Sequence, residues 1–326
     1  MQAVTINPLA PFFIVFNAGS GHDDVAATRT IIETLLTEAG REYHVMLVED
    51  ASLLPHISAE AIARAKVQGG VVIAAGGDGT INAVAQAVLG SGCPFGVLPQ
   101  GTFNYFSRTH GIPSDTAEAL QVLLSSRAHP VQIGLVNDRV FLVNASLGLY
   151  PKLLEEREAY KECYGRSRLV AWCAGIMTLL HEHRPMRIHV EHGDQAYELR
   201  TLMIFVSNNR LQLERIGLPE AKAVEQDQLV AIVLKPVASL TLLRLMLRGA
   251  LGQLADVDHI ASFAFRQITV MPASTLLYGR RHIKVAMDGE VSLLTAPLRF
   301  RLAPEELLLL KPEVAPGENP HDPDSL

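Results

Sequence analysis

Residues 70–82 read GVVIAAGGDGTIN. Gly70–Ala75 is a continuous apolar run, and a strand that is apolar on both faces belongs inside a parallel sheet covered by helices. The run stops on Gly76-Gly77-Asp78-Gly79-Thr80, and helical spacing of apolar residues follows from Ile81 to Leu89. Glycines carry no side chain, so backbone N–H groups can close on a polyphosphate there. A helix starting near Ile81 turns its positive end to the same place, with Thr80 available as a cap or phosphate donor. Asp78 puts a carboxylate inside this anion site, which makes chemical sense when it acts through a metal ion.

The same alternation extends to both sides. Phe12–Asn17 is an apolar run that ends at Ala18-Gly19-Ser20-Gly21, and Val25–Ala39 has helical spacing. Tyr43–Val48 reads as a strand and Ser58–Val67 as a helix, and Phe95–Leu98 ends in Pro99-Gln100-Gly101-Thr102. Ligands of open parallel sheets bind beyond the carboxyl ends of the strands. The turns Asn17–Gly21, Gly76–Thr80 and Gly101–Asn104 therefore share one edge. Gly-rich strand-to-helix turns occur in any doubly wound fold, but three on one edge, one with an internal Asp, favour a ligand site. No Lys follows these glycines as a Walker loop requires, and Gly19-Ser20-Gly21-His22-Asp23-Asp24 lacks the third glycine of a dinucleotide fingerprint.

Beyond Pro130 the texture changes. Val131–Val136, Val140–Ser146, Met186–His192, Glu198–Ser207, Leu229–Leu234, Ser262–Met271, His282–Met287 and Leu298–Leu302 read as strands. Helical stretches at Pro151–His183 and Ser239–Leu254 interrupt them. Strands without regularly alternating helices indicate a second, β-sandwich-like domain. The expected division is 1–130, 131–310, and a polar tail from 311 to 326 that reads as disordered.

Composition narrows the class of function. The chain has 326 residues, 48% hydrophobic and 19% charged, with a formal net charge of −6. That balance argues against bulk nucleic-acid binding, which needs a basic footprint. Cys93, Cys163 and Cys173 form no CxxC pair, which fits a reducing cytoplasm. No signal-peptide pattern is read at Met1–Pro11, and no window reaches the roughly 18 apolar residues of a membrane span.

The motifs resemble the diacylglycerol kinase catalytic-domain family, soluble bacterial lipid kinases related to sphingosine kinases and more distantly to NAD kinases. The matching segments are FNAGSG (16–21), GGDGTIN (76–82), GVLPQGTFNYFSR (96–108), SLGLYPKLLEERE (146–158), VSNNR (206–210) and AMDGEVSLLTAPLRFRLAP (286–304). The resemblance implies a Rossmann-like α/β nucleotide domain followed by a β-sandwich-like lipid-substrate domain, with ATP and Mg2+ as cofactors. Asn17, Ser20, Gly21, Gly76, Gly77, Asp78, Gly79, Thr80, Asn82, Gly101, Thr102 and Asn104 would surround the nucleotide. By the same resemblance Glu290 is the general base on a lipid hydroxyl, Asp288 and Asp78 belong to the catalytic and metal network, and Asp227 is a structural magnesium ligand. Ala83, Phe103 and Tyr105 replace the family's usual Glu, Gly and Asp, and Gln228 stands where Gly is usual. The expected partners are ATP and a lipid, with peripheral contact at the inner membrane surface. A kinase for a soluble acceptor such as NAD, and a nucleotide-binding regulator with little catalysis, are the alternatives.

Overall fold

The computed structural model describes residues 4–19, 25–155, 185–193, 195–250, 258–273 and 282–312. Two compact units divide the chain: Met1–Gln132 with the segment from Pro304 onward, and Ile133–Ala303. Among the described residues no helix is long and apolar enough to cross a membrane.

In the first unit, strands β1 (Phe12–Asn17), β2 (Tyr43–Val48), β3 (Val71–Gly76) and β4 (Phe95–Pro99) are separated by helices α1 (Val25–Glu38), α2 (Leu54–Gln68) and α3 (Asp78–Val88). Phe12–Phe16 and Val71–Gly76 are buried throughout, as their unbroken apolar sequence requires. Pro55 sits in the first turn of α2, and Gly69 ends that helix in the left-handed region at φ 63°. After β4 come α4 (Tyr105–Thr109), α5 (Thr116–Ser125) and β5 (Arg127–Val131). Asp115 caps α5 by accepting from the N–H groups of Ala117 and Glu118, both at 2.9 Å.

The second unit holds strands β6 (Gly134–Val136), β7 (Arg139–Phe141), β8 (Asn144–Gly148), β9 (Met186–His192), β10 (Gln195–Thr201) and β11 (Met203–Ser207). Helix α6 (Arg210–Arg215), β12 (Leu229–Leu234), helix α7 (Ser239–Ala250), β13 (Ile260–Phe265), β14 (Gln267–Pro272), β15 (His282–Met287), β16 (Glu290–Thr295) and β17 (Leu298–Leu302) complete it. The strands form two antiparallel sheets, in the orders β10-β9-β14-β17-β6-β7 and β13-β12-β11-β8-β15-β16. Phe141, Val190, Val270 and Phe300 of one sheet share a core with Leu147, Val206, Ala231 and Val285 of the other. This is the expected sandwich.

Three runs that read as single strands each turn a corner and change sheets: β7 to β8, β10 to β11, and β13 to β14. Leu202 and Arg266 sit at two of these corners. Orthogonally bent strands feed two sheets from one apolar run, so hydrophobicity alone cannot reveal the break. The larger correction concerns β18 (Leu307–Lys311), which the sequence placed in the second domain. It returns to the first sheet, between β4 and β5, giving the order β2-β1-β3-β4-β18-β5. Leu307, Leu309 and Leu310 are buried there, which an interior strand offers and an edge does not. The expected disordered tail lies outside the described residues from 313 onward, as does most of the Pro151–His183 helix.

Candidate functional site

Strands β2, β1, β3 and β4 run parallel, with β1 between β2 and β3. The connections leave β1 in opposite directions, so the topological switch point lies between β1 and β3, where ligands of such sheets bind. Two side chains bridge it. Asn17, the last residue of β1, donates from Nδ2 to Thr80 Oγ1 at 2.8 Å. Its Oδ1 accepts from the Gly19 N–H at 3.0 Å and shapes the turn that follows.

The helix after β3 begins earlier than expected. Gly77 is its N-cap and Asp78 its first residue, so Asp78, Gly79 and Thr80 form a helical turn rather than a loop. First-turn N–H groups have no intrahelical acceptor, and together with the helix dipole they suit an anion. Asp78 and Asn82, four residues apart, lie on one face of α3. The glycines here do different jobs. A Cβ on Gly76 would fall 2.7 Å from Thr80 Cβ and Oγ1, so this glycine lets Thr80 pack over the strand end. Thr80 is consequently 4% exposed.

A second turn packs onto the first. Gln100 N–H donates to Gly76 O at 2.9 Å. A Cβ on Gly101 would meet Asn104 Oδ1 at 2.8 Å and Gly77 Cα at 3.2 Å, so the two turns touch through bare backbone. Asn104 adopts the left-handed region at φ 45°. Its side chain accepts from Gly101 N–H at 3.1 Å and donates to Gly101 O at 2.8 Å, closing the turn on itself. Thr102 and Phe103 are left at the surface, and the Phe103 ring stacks on Tyr105 with centroids 5.8 Å apart. Gln100 Nε2 is buried with no acceptor among the described residues, a signal the sequence did not offer. Ser20 and Gly21, both expected at the nucleotide, lie outside the described residues.

In the second unit the expected pair Asp288 and Glu290 spans the β15–β16 turn, with Asp288 and Gly289 in the left-handed region at φ 49° and 93°. This is the two-residue hairpin turn that Asp-Gly favours. Asp288 is committed elsewhere than expected: Oδ2 accepts from Leu142 N–H at 2.7 Å, and Oδ1 from Val143 at 2.8 Å and Asn144 at 3.0 Å. It anchors the β7–β8 corner. Glu290 opens β16 and is exposed. Beside the corner, Asn144 Nδ2 and Ser207 Oγ both reach Gln212 Oε1 at 3.4 Å, and Asn209 caps α6 through Gln212 N–H. This polar group went unassigned in the sequence, although VSNNR carries two of its members, Ser207 and Asn209.

Asp227 is the expected magnesium ligand. It sits in the left-handed region at φ 55°, in a depression of about 390 Å³ shared with Arg266, Gln267, Arg301 and Leu302. Among the described residues no three His, Cys, Asp or Glu side chains gather to hold a metal ion. Arg266 and Arg301 bring two guanidinium groups to the same depression.

Comparisons with known proteins agree with this architecture. Residues 11–136 match the model of the diacylglycerol kinase catalytic domain. A protein named "Probable lipid kinase YegS-like" from Klebsiella pneumoniae (strain 342) is 30% identical over 184 residues, 54% of this chain. The chain spans 59% of the length of that relative. A diacylglycerol kinase of Bacillus subtilis (strain 168) is 26% identical over 76% of this chain and 81% of its own length. The crystal structure of a diacylglycerol kinase from Bacillus anthracis str. Sterne shares the fold, with a TM-score of 0.66, 19% identity, and coverage of 93% of this chain and 97% of that one. Motifs, strand order and likenesses point one way: residues 11–136 are similar to the diacylglycerol kinase catalytic domain, and the chain shares the fold of a diacylglycerol kinase structure.

Proposed function

We propose that this chain is an ATP-dependent lipid kinase that transfers the γ-phosphoryl group to a hydroxyl of a diacylglycerol-like lipid. The observation that carries the reading is the meeting of three strand ends at the switch point, where Asn17 bonds Thr80 and Gly101 packs on Gly77. Phosphoryl transfer needs positioning and charge neutralisation more than covalent chemistry. The first turn of α3 supplies N–H donors to the phosphates. Asn17, Gly76, Gly79, Asn82, Thr102 and Asn104 frame them.

Magnesium usually reaches a protein through one or two carboxylates plus phosphate oxygens. Asp78, at the start of α3, is the carboxylate of these turns that would hold an ion carried by the nucleotide, which would neutralise phosphate charge. Glu290 takes the hydroxyl proton as the lipid oxygen attacks the γ-phosphorus and ADP leaves. Asp288 contributes by fixing the turn that presents Glu290.

Purified protein incubated with labelled Mg-ATP and a total lipid extract in detergent tests the proposal. Label in an organic-soluble product, lost in Asp78→Ala and Glu290→Gln, is the expected result. ATP binding with no lipid label would refute it and favour a soluble acceptor or a nucleotide sensor.

A further inference from the structure

Helix α7 reads SLTLLRLMLRGA, with Arg244, Arg248 and Thr241 along one arc and leucines over most of the rest. Leu242 and Leu245 face inward, 4% and 6% exposed, in a cluster with Leu149, Leu202 and Leu234. At 100° per residue, Leu240, Arg244 and Leu247 share the opposite side. Leu240 is 75% and Leu247 60% exposed, and Arg244 is exposed between them.

Charge separates this surface from an ordinary solvated helix. The chain carries a net −6, yet α7 contains no carboxylate and two arginines. Lys235, exposed in the turn that leads into the helix, adds a third cation, while Asp258 is exposed nearby. Two solvent-facing leucines flanked by guanidinium groups match an anionic lipid surface, where leucine enters the acyl boundary and arginine stays at the headgroups. An acidic protein is repelled by such a surface as a whole, so a local patch of this kind dictates which side approaches.

We propose that the outward side of α7 is the surface by which this protein docks on an anionic bilayer. The proposal rests on the lipid-kinase reading for its reason to visit a membrane, but not for its evidence. The buried side of the helix ties the docking element to Leu149, Leu202 and Leu234, a cluster beside the main core, so contact is made by a fixed ridge.

The test is co-sedimentation of the full chain with vesicles of phosphatidylcholine containing phosphatidylglycerol, and with vesicles of phosphatidylcholine alone. The wild type is expected to favour the anionic vesicles in a salt-sensitive way. Leu240→Gln with Leu247→Gln should lower the partition about tenfold, equivalent to about 1.4 kcal/mol. Arg244→Gln and Arg248→Gln should each lower it roughly fivefold. Melting temperature and phosphorylation of detergent-dispersed lipid should stay at wild-type values in all of these variants. Unchanged partition in the leucine variant, equal binding to both vesicle types, or self-association that the same substitutions abolish would each overturn the proposal. Failure of the kinase reading would show separately, as wild-type protein that labels no dispersed lipid.

Discussion

Replacing Asp288 separates a structural carboxylate from a chemical one. Its two oxygens accept three backbone N–H groups, from Leu142, Val143 and Asn144, over 2.7–3.0 Å. Those three residues are 3%, 4% and 5% exposed, so water reaches the freed donors poorly. A buried donor without a partner costs about 1–3 kcal/mol, and Ala at a left-handed φ adds about 1 kcal/mol more. Allowing for partial relaxation, Asp288→Ala should lose about 4 kcal/mol of unfolding free energy. Asp288→Asn tolerates the left-handed backbone and keeps one carbonyl oxygen for Val143 and Asn144. It should lose about 1–2 kcal/mol, the share of the Leu142 bond. Urea titration of the three proteins measures these differences, with phosphoryl transfer assayed well below each transition. Asp288→Ala with wild-type stability and no activity would refute the argument and return the carboxylate to the reaction.

Two further outcomes follow from contacts in the first unit. Gly101→Ala pushes a methyl group to 2.8 Å from Asn104 Oδ1 and 3.2 Å from Gly77 Cα, and should cost about 1–3 kcal/mol and weaken ATP binding. Gly77→Ala meets Gly101 Cα at only 3.7 Å with φ −78°, so calorimetry should find its stability close to wild type. His110 packs edge-on against Phe106 at 4.7 Å, and burial, reinforced by Lys311, pushes its pKa down to about 3 from 6.5. The folded ring is therefore neutral while the unfolded one titrates normally. The resulting stability is complete above about pH 6.5 and declines as pH falls toward 3. The ring keeps part of its surface, so water screens the effect to roughly 1–2 kcal/mol at pH 4.5. His110→Gln should flatten that part of the urea-midpoint profile, and parallel profiles would contradict the assignment.

The first unit was readable because its central strands β1, β3 and β4 are buried on both faces, and β2, only partly buried at the edge, still stands out as a short apolar run. Phe12–Asn17, Tyr43–Val48 and the run ending at Gly76 match the observed strands within a residue. Their turns were readable for the same reason, since a parallel sheet puts every strand ending on one edge. Helix onset at Asp78 was missed because Gly77 and Gly79 look like loop residues until Thr80 is seen packed over Gly76. The second unit was readable as strands but not as sheets. Whether Glu198–Ser207 is one strand or two depends on a bend at Leu202, and nothing in its apolar pattern marks the corner. Asp288 shows the same limit more sharply. Its partners lie about 145 positions earlier in the chain, and local sequence describes only the turn it occupies.

The return of β18 also governs the order in which the chain can be completed. Residues 133–303 are contiguous and can fold as soon as they have been synthesised. The first sheet cannot close until Leu307–Lys311 arrives to part β4 from β5, although β1 to β4 exist from the start. During synthesis the first unit must wait, with the Phe95 edge of its sheet unpaired, for nearly the whole chain. A fragment cut at residue 136 would hold every residue of the matched family model and still lack an interior strand. The motif boundary and the folding boundary are thus different places in this protein, and a chaperone would meet the open edge at β4.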